Sequence, residues 1–203
     1  MIRTLHPAFR PFAALWRVIG SRTGDDRASQ IVEFAVSLPL LVLFVVGIFD
    51  FSSAITLKQK LTNAAREGAR VAAADPANDL GNPSSPIPAS VGDAIQVVDN
   101  YLLAEKINDC GLKTSLPPPP TGLTWVATAT GCPGGPTAVL KLTINRGCVT
   151  PQTSGQTTTY MVNTCVGIVY PYSWQFGGVS SLFGGRFVGP SSITTTAVAF
   201  NEN

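Results

Sequence analysis

The chain has 203 residues, 45% hydrophobic and only 13% charged, with a formal net charge of +2 at pH 7. That length holds one ordinary domain plus accessory segments, and the apolar fraction excludes a mostly disordered protein. The small net charge, and arginines scattered rather than interleaved with aromatics, argue against a nucleic-acid partner.

The first stretch, 1–28, is a basic leader: Arg3, Arg10, Arg17, Arg22 and Arg27 stand against Asp25 and Asp26. Basic flanks of this kind stay cytoplasmic, although Lys58, Lys60, Arg66 and Arg70 beyond the next segment weaken the asymmetry. A secretory signal places its apolar region ahead of a small-residue cleavage site. Here the order is reversed: Ala28 and Ser29 precede the apolar run, so a cut between them removes the leader and leaves the helix attached.

The mean hydropathy of +0.24 owes much to the stretch from Ile31 to Leu57, which predicts a transmembrane helix over 29–57. The run from Phe34 to Phe49 has no charge. At 1.5 Å per residue it covers roughly 24 Å, short of the ~30 Å hydrocarbon core, so Glu33 or Asp50 falls close to or inside the boundary. An acid at the centre of a span costs ~2.5–3.5 kcal/mol and less near the ends, and such groups normally have a partner. Glu33 reads either as an acid favoured by the positive helix end or as a counter-charge for another group. Asp50 reads either as an interfacial residue at the helix end or as a second intramembrane acid with its own role. The two point in different directions around a helix, so one partner groove does not serve both. Pro39, inside the span, predicts a kink or local unwinding.

Helical patterning continues over 58–75, with Ala64, Gly68 and Ala72 recurring every four residues as a small-residue stripe. That stripe suits close packing on the chain's own sheet or on another helix. Asp75-Pro76 ends the helix, and Pro, Asn, Gly and Ser make a loop to Pro88. Val91, Ala94, Ile95, Val98, Leu102 and Ile107 predict a second amphipathic helix from about Ser90 to Asn108. Pro117 to Pro120 form an extended spacer. Strands rich in Thr, Val and Ile follow at Leu123–Thr130, Ala138–Val149, Thr158–Tyr170 and Ile193–Phe200. The fold class expected is α+β, with the two helices preceding a small antiparallel sheet, and 76–203 forming the exported part. Between Gly177-Gly178 and Gly184-Gly185 lies an apolar patch, Val179 to Phe183, near Trp174 and Phe176. It reads as a covered loop or as a contact for membrane or a neighbouring subunit.

All four cysteines, Cys110, Cys132, Cys148 and Cys165, lie beyond the apolar segment. Zinc sites draw ligands in close pairs, which are absent here, and the single histidine, His6, is in the leader. Disulfides are favoured over buried thiols, and they place the C-terminal part in an oxidising compartment, with the N-terminus cytoplasmic. Four cysteines allow three connectivities. A hairpin turning near Ser154-Gly155 would set Cys148 opposite Cys165 and leave Cys110 for Cys132. No nucleophile elbow, zincin, phosphate-loop or dinucleotide fingerprint occurs, and the exported part has no histidine to act as a base. The expectation is a protein that is not an enzyme and uses no cofactor or metal.

Three anchor points, Ala28-Ser-Gln-Ile-Val-Glu33-Phe34-Ala-Val-Ser-Leu-Pro39-Leu, Gly47-Ile-Phe-Asp50-Phe51 and Asn63-Ala-Ala-Arg66-Glu67-Gly68-Ala-Arg70, resemble the TadE-like family of tight-adherence (Flp-type) pilus assembly proteins. The segment Val166-Gly-Ile-Val-Tyr170-Pro171-Tyr172 is similar, more loosely, to the end of such proteins. The resemblance implies a minor pilin-like (pseudopilin) subunit cut by a prepilin peptidase ahead of the apolar helix, here between Ala28 and Ser29. Ala28 stands where the family usually has glycine. Counted from Ser29, Glu33 is then the fifth residue, and the resemblance implies that it neutralises a new α-amino group, its own or a neighbour's, with Phe34 beside it. The implied partners are membrane lipid, the peptidase, other pilin-like subunits and the assembly platform. The implied location is the bacterial inner membrane, with the C-terminal domain periplasmic or carried into a surface pilus. The rival reading is an adhesive or ligand-binding module displayed on the same anchor, and a third is a generic single-pass protein with an unrelated domain.

Overall fold

The computed structural model of the chain describes residues 26–81, 87–135, 137–174 and 189–201. Two units are distinguished, Met1–Gly47 and Ile48–Asn203. Residues 1–25 of the leader and the Val179–Phe183 patch with its flanking glycines lie outside the described residues.

Helix α1 (Asp26–Ala74) carries Pro39 inside it without a break, so the predicted unwinding does not occur. Its N-terminal portion exposes Ile31, Phe34, Val36, Leu40, Leu41 and Phe44. Such a surface is stable only in lipid or against apolar partners. The segment Gln30–Ala74 is long and apolar enough to cross a membrane, and its most apolar window, with mean hydropathy 2.6, is entirely unburied.

The second unit is α+β. In α1 from Leu61 onward, the buried residues Leu61, Ala64, Ala65, Ala69 and Ala72 form one face. Helix α2 (Ala89–Ala104) buries Val91, Ala94, Ile95, Val98 and Leu102, the i, i+3, i+4, i+7 stripe of an amphipathic helix. Strands β1 (Thr124–Ala129), β2 (Leu140–Ser154), β3 (Thr157–Pro171) and β4 (Ser192–Phe200) make an antiparallel meander in the order β1-β2-β3-β4. Alternate residues, among them Trp125, Ala127, Leu140, Leu142, Ile144, Val166, Ile168 and Ala197, join both helices in one core. Gly68 sits where the layers meet: a Cβ there would lie 2.7 Å from Val98 Cγ2 and 3.7 Å from Val166 Cγ1. The small-residue stripe therefore packs on both the second helix and the sheet.

Three further expectations need correction. Helix α2 stops at Ala104, short of Asn108, because the backbone turns left-handed at Lys106 (φ 58°). The Lys106 N–H donates to Leu103 O and the Ile107 N–H to Leu102 O, which is a Schellman cap built without its usual glycine. The loop after Pro76 contains a 3-10 helix, Ala77–Gly81. Asp79 projects from it, and its Oδ2 accepts the Ser90 N–H at 2.8 Å, capping α2 from outside the helix. Finally, Cys148 does not lie opposite Cys165. The β2–β3 register pairs Cys148 with Asn163 and Asn145 with Cys165, with an irregularity between Asn145 and Cys148. The two-residue turn, with Gly155 at φ 62°, fixes the outer register, and one extra residue at Arg146-Gly147, two residues against Thr164 alone, shifts it. The disulfide Cys148–Cys165 closes diagonally beside this bulge, and Cys110–Cys132 ties the post-α2 loop to the β1–β2 connection.

Candidate anchor and assembly site

Residues 28 and 29 lie within α1, so the helix runs through the Ala28–Ser29 junction. Glu33 and Phe34, a little over one turn beyond, are both exposed on that helix, Phe34 at 64%. Glu33 forms no ion pair among the described residues. An exposed acid flanked by exposed Ile31, Val32 and Phe34 can receive a cation from outside this chain.

Asp50 is different. It is 5% exposed, and the Tyr172 hydroxyl, carried past the end of β3, donates to its Oδ1 at 3.0 Å and approaches its carbonyl at 3.2 Å. Trp174 stacks edge-on against Tyr172 (centroids 5.0 Å) and against Phe51 (5.3 Å). The indole N–H donates to Pro190 O at 2.7 Å, and the Tyr172 N–H to Ser191 O at 2.9 Å. Gly189 leaves room for the ring, since a Cβ there would meet Trp174 Nε1 at 2.5 Å. Burial, followed by the hydrogen bond from Tyr172 to Asp50, pushes the Tyr172 hydroxyl up to about 12. The protonated, donating form is thus the one the fold holds. Tyr and Trp suit a surface with one apolar and one wet side, and this pair marks the helix at the end of its uncharged run.

A second polar centre holds the C-terminal end of α1. Arg146, 3% exposed, donates from Nη2 to Asp75 O at 2.9 Å and from Nη1 to Thr164 Oγ1 at 3.3 Å. Burial lowers its pKa from the ordinary value, while Asp79 and Asp75 oppose the shift. Thr164 in turn donates to Asn201 Oδ1 at 2.6 Å. Lys60 pairs with Glu105 at 3.1 Å, and Thr62 and Thr195 share a hydroxyl contact of 2.8 Å. Sequence reasoning missed Tyr172, Trp174 and Arg146 as partners of α1. Only the odd placement of an arginine amid the alternating apolar residues of a strand signals the last of them.

No group of three or more His, Cys, Asp or Glu able to hold a metal occurs among the described residues. The contacts of Tyr172, Trp174 and Arg146 hold α1 against the sheet's end and its neighbouring strands. The fold and the site together define a protein with an N-terminal helix long and apolar enough to cross a membrane and a disulfide-bonded α+β domain. The family model described as TadE-like protein matches residues 28–70, the stretch from the Ala28–Ser29 junction to Arg70 that contains Glu33, Pro39, Asp50 and Gly68. The chain is TadE-like in this segment, as the three anchor points indicate. No curated protein and no solved structure matches the chain.

Proposed function

We propose that the chain is a structural or assembly subunit, a minor pilin-like (pseudopilin) component of a tight-adherence, Flp-type pilus. The observation that carries this reading is the TadE-like match over residues 28–70, which coincides with an apolar helix whose side chains are exposed. In this reading the chain inserts with its N-terminus cytoplasmic and its disulfide-bonded domain periplasmic. A prepilin peptidase cuts between Ala28 and Ser29, and the new amine at Ser29 needs an anion in a medium where an unpaired charge is costly. Glu33 of this or a neighbouring subunit supplies it, and the pair fixes the axial register between helices. Phe34 and its apolar neighbours pack against lipid or against other pilus components. Asp50, bound by Tyr172, does separate work at the far end of the span by tying the helix to its domain.

The test is Glu33→Ala in the producing cell. Loss of pili with the protein still inserted and folded supports the assembly role. Normal piliation with intact surface binding would favour the rival adhesive module.

A further inference from the structure

The hairpin of β2 and β3 outruns the rest of the sheet. β1 pairs with β2 only as far as Asn145, and β4 pairs with β3 only as far as Asn163, yet β2 and β3 continue to pair as far as Ser154 and Thr157. Beyond Val149 and Val162 it is, among the described residues, a two-stranded ribbon, which alone is at best marginally stable in water. Its face toward the helix layer continues the core face, but Val149, Tyr160 and Val162 are 57%, 73% and 58% exposed. From Val149 to Val162 there is no charged residue, so the charged side chains that often protect an exposed edge are missing from this stretch.

The two edges of this ribbon are not equivalent. Asn201 Nδ2 donates to Val162 O, which shows that the backbone of Val162 faces away from β2. By the two-residue alternation, Tyr160 and Thr158 face outward as well, and so do their β2 partners Pro151 and Thr153. On β2, Pro151 lacks the N–H an incoming strand would need, so that edge is blocked. On β3, Thr158 and Tyr160 each present an outward N–H and C=O.

We propose that this β3 edge pairs with the same edge of a second copy of the chain. Antiparallel pairing about a two-fold axis at Thr159 sets Thr158 of each copy against Tyr160 of the other, forming four backbone hydrogen bonds. The contact is self-complementary: each edge offers the two donors and two acceptors that the other lacks, and no like charges are opposed. It also closes, because the proline-blocked β2 edges cannot extend the joined ribbon into an open sheet. The join makes the exposed apolar faces of two hairpins continuous. This pairing stands independently of the pilus reading.

The test uses the full chain in nanodiscs. In the proposed register Thr159 faces Thr159 as a non-hydrogen-bonded pair, a spacing that accepts a disulfide. Thr159→Cys should therefore form a disulfide-linked dimer about tenfold or more faster than Gln152→Cys, its partner on the blocked strand. Tyr160→Pro, which removes only an outward N–H, should abolish that dimer. Tyr160→Lys, which puts charge on the edge without touching the hairpin's own ladder, should do the same and keeps the test decisive if the proline variant misfolds. Equal rates for the two cysteine variants, cross-links to a different protein alone, or a dimer unaffected by Tyr160→Lys would overturn the proposal.

Discussion

Asp50 lies at the end of the uncharged run and is held by a hydroxyl from a segment more than a hundred residues later in the chain. Tyr172→Phe keeps the ring contacts and deletes that donor, so unfolding in detergent should show a loss of about 1 kcal/mol. The raised pKa of Tyr172 also has a sign. The protonated hydroxyl is favoured in the fold, so its contribution is complete below pH about 10, the unfolded value, and is lost as the pH rises toward about 12. Denaturation midpoints at pH 9 and 11 should therefore differ more in the parent than in Tyr172→Phe. Asp99 offers a second pH test. It is 1% exposed, and burial, with the neighbouring Asp109 charge and hydrogen bond, raises its pKa against the pull of Lys113. A raised carboxyl pKa means stability that is present below about pH 4 and falls as the pH rises through the folded value. Asp99→Asn should thus stabilise the domain at pH 7 and lose that advantage in acid, as read by urea midpoints at the two pH values. Gly68→Ala drives a methyl into Val98. A β-branched neighbour has little freedom to move, so thermal unfolding should show a cost of about 1–3 kcal/mol, partly relieved by Val98→Ala.

At the scale of elements, the helices were legible because their apolar residues repeat at helical spacing, and the strands because β-branched runs alternate with Gly/Pro clusters. The end of α2 was not legible. Its left-handed position is Lys106 rather than glycine, and periodicity carries the eye on to Ile107, which instead folds back beside the core. Lys106→Gly should remove the Cβ penalty and raise stability by about 1 kcal/mol in a denaturant titration. The β2–β3 register was half legible. Gly155 announces the turn, but the bulge at Arg146-Gly147 depends on Arg146 reaching Asp75 and on Gly147 lying against Leu123, where a Cβ would meet Leu123 Cδ1 at 2.7 Å. Neither is a local signal. The same holds for Tyr172 and Trp174, whose spacing along the chain says nothing of Asp50 or Phe51.

At the scale of the molecule, the anchor and the domain share α1, and the domain's packing is reinforced by covalent links. The Cys110–Cys132 and Cys148–Cys165 bridges close loops of sequence separation 22 and 17, each of which should contribute about 2–4 kcal/mol. The TadE-like match ends at residue 70, so it covers the apolar helix and most of the α1 face that joins the core, while the sheet lies beyond it. The proposed assembly role depends on one event, the creation of a free amine at Ser29 for Glu33 to neutralise. N-terminal sequencing of the membrane-bound protein tests it directly. The proposed function predicts a mature chain beginning Ser-Gln-Ile-Val-Glu, with Glu33 as its fifth residue, whereas a mature protein still beginning at Met1 would contradict it.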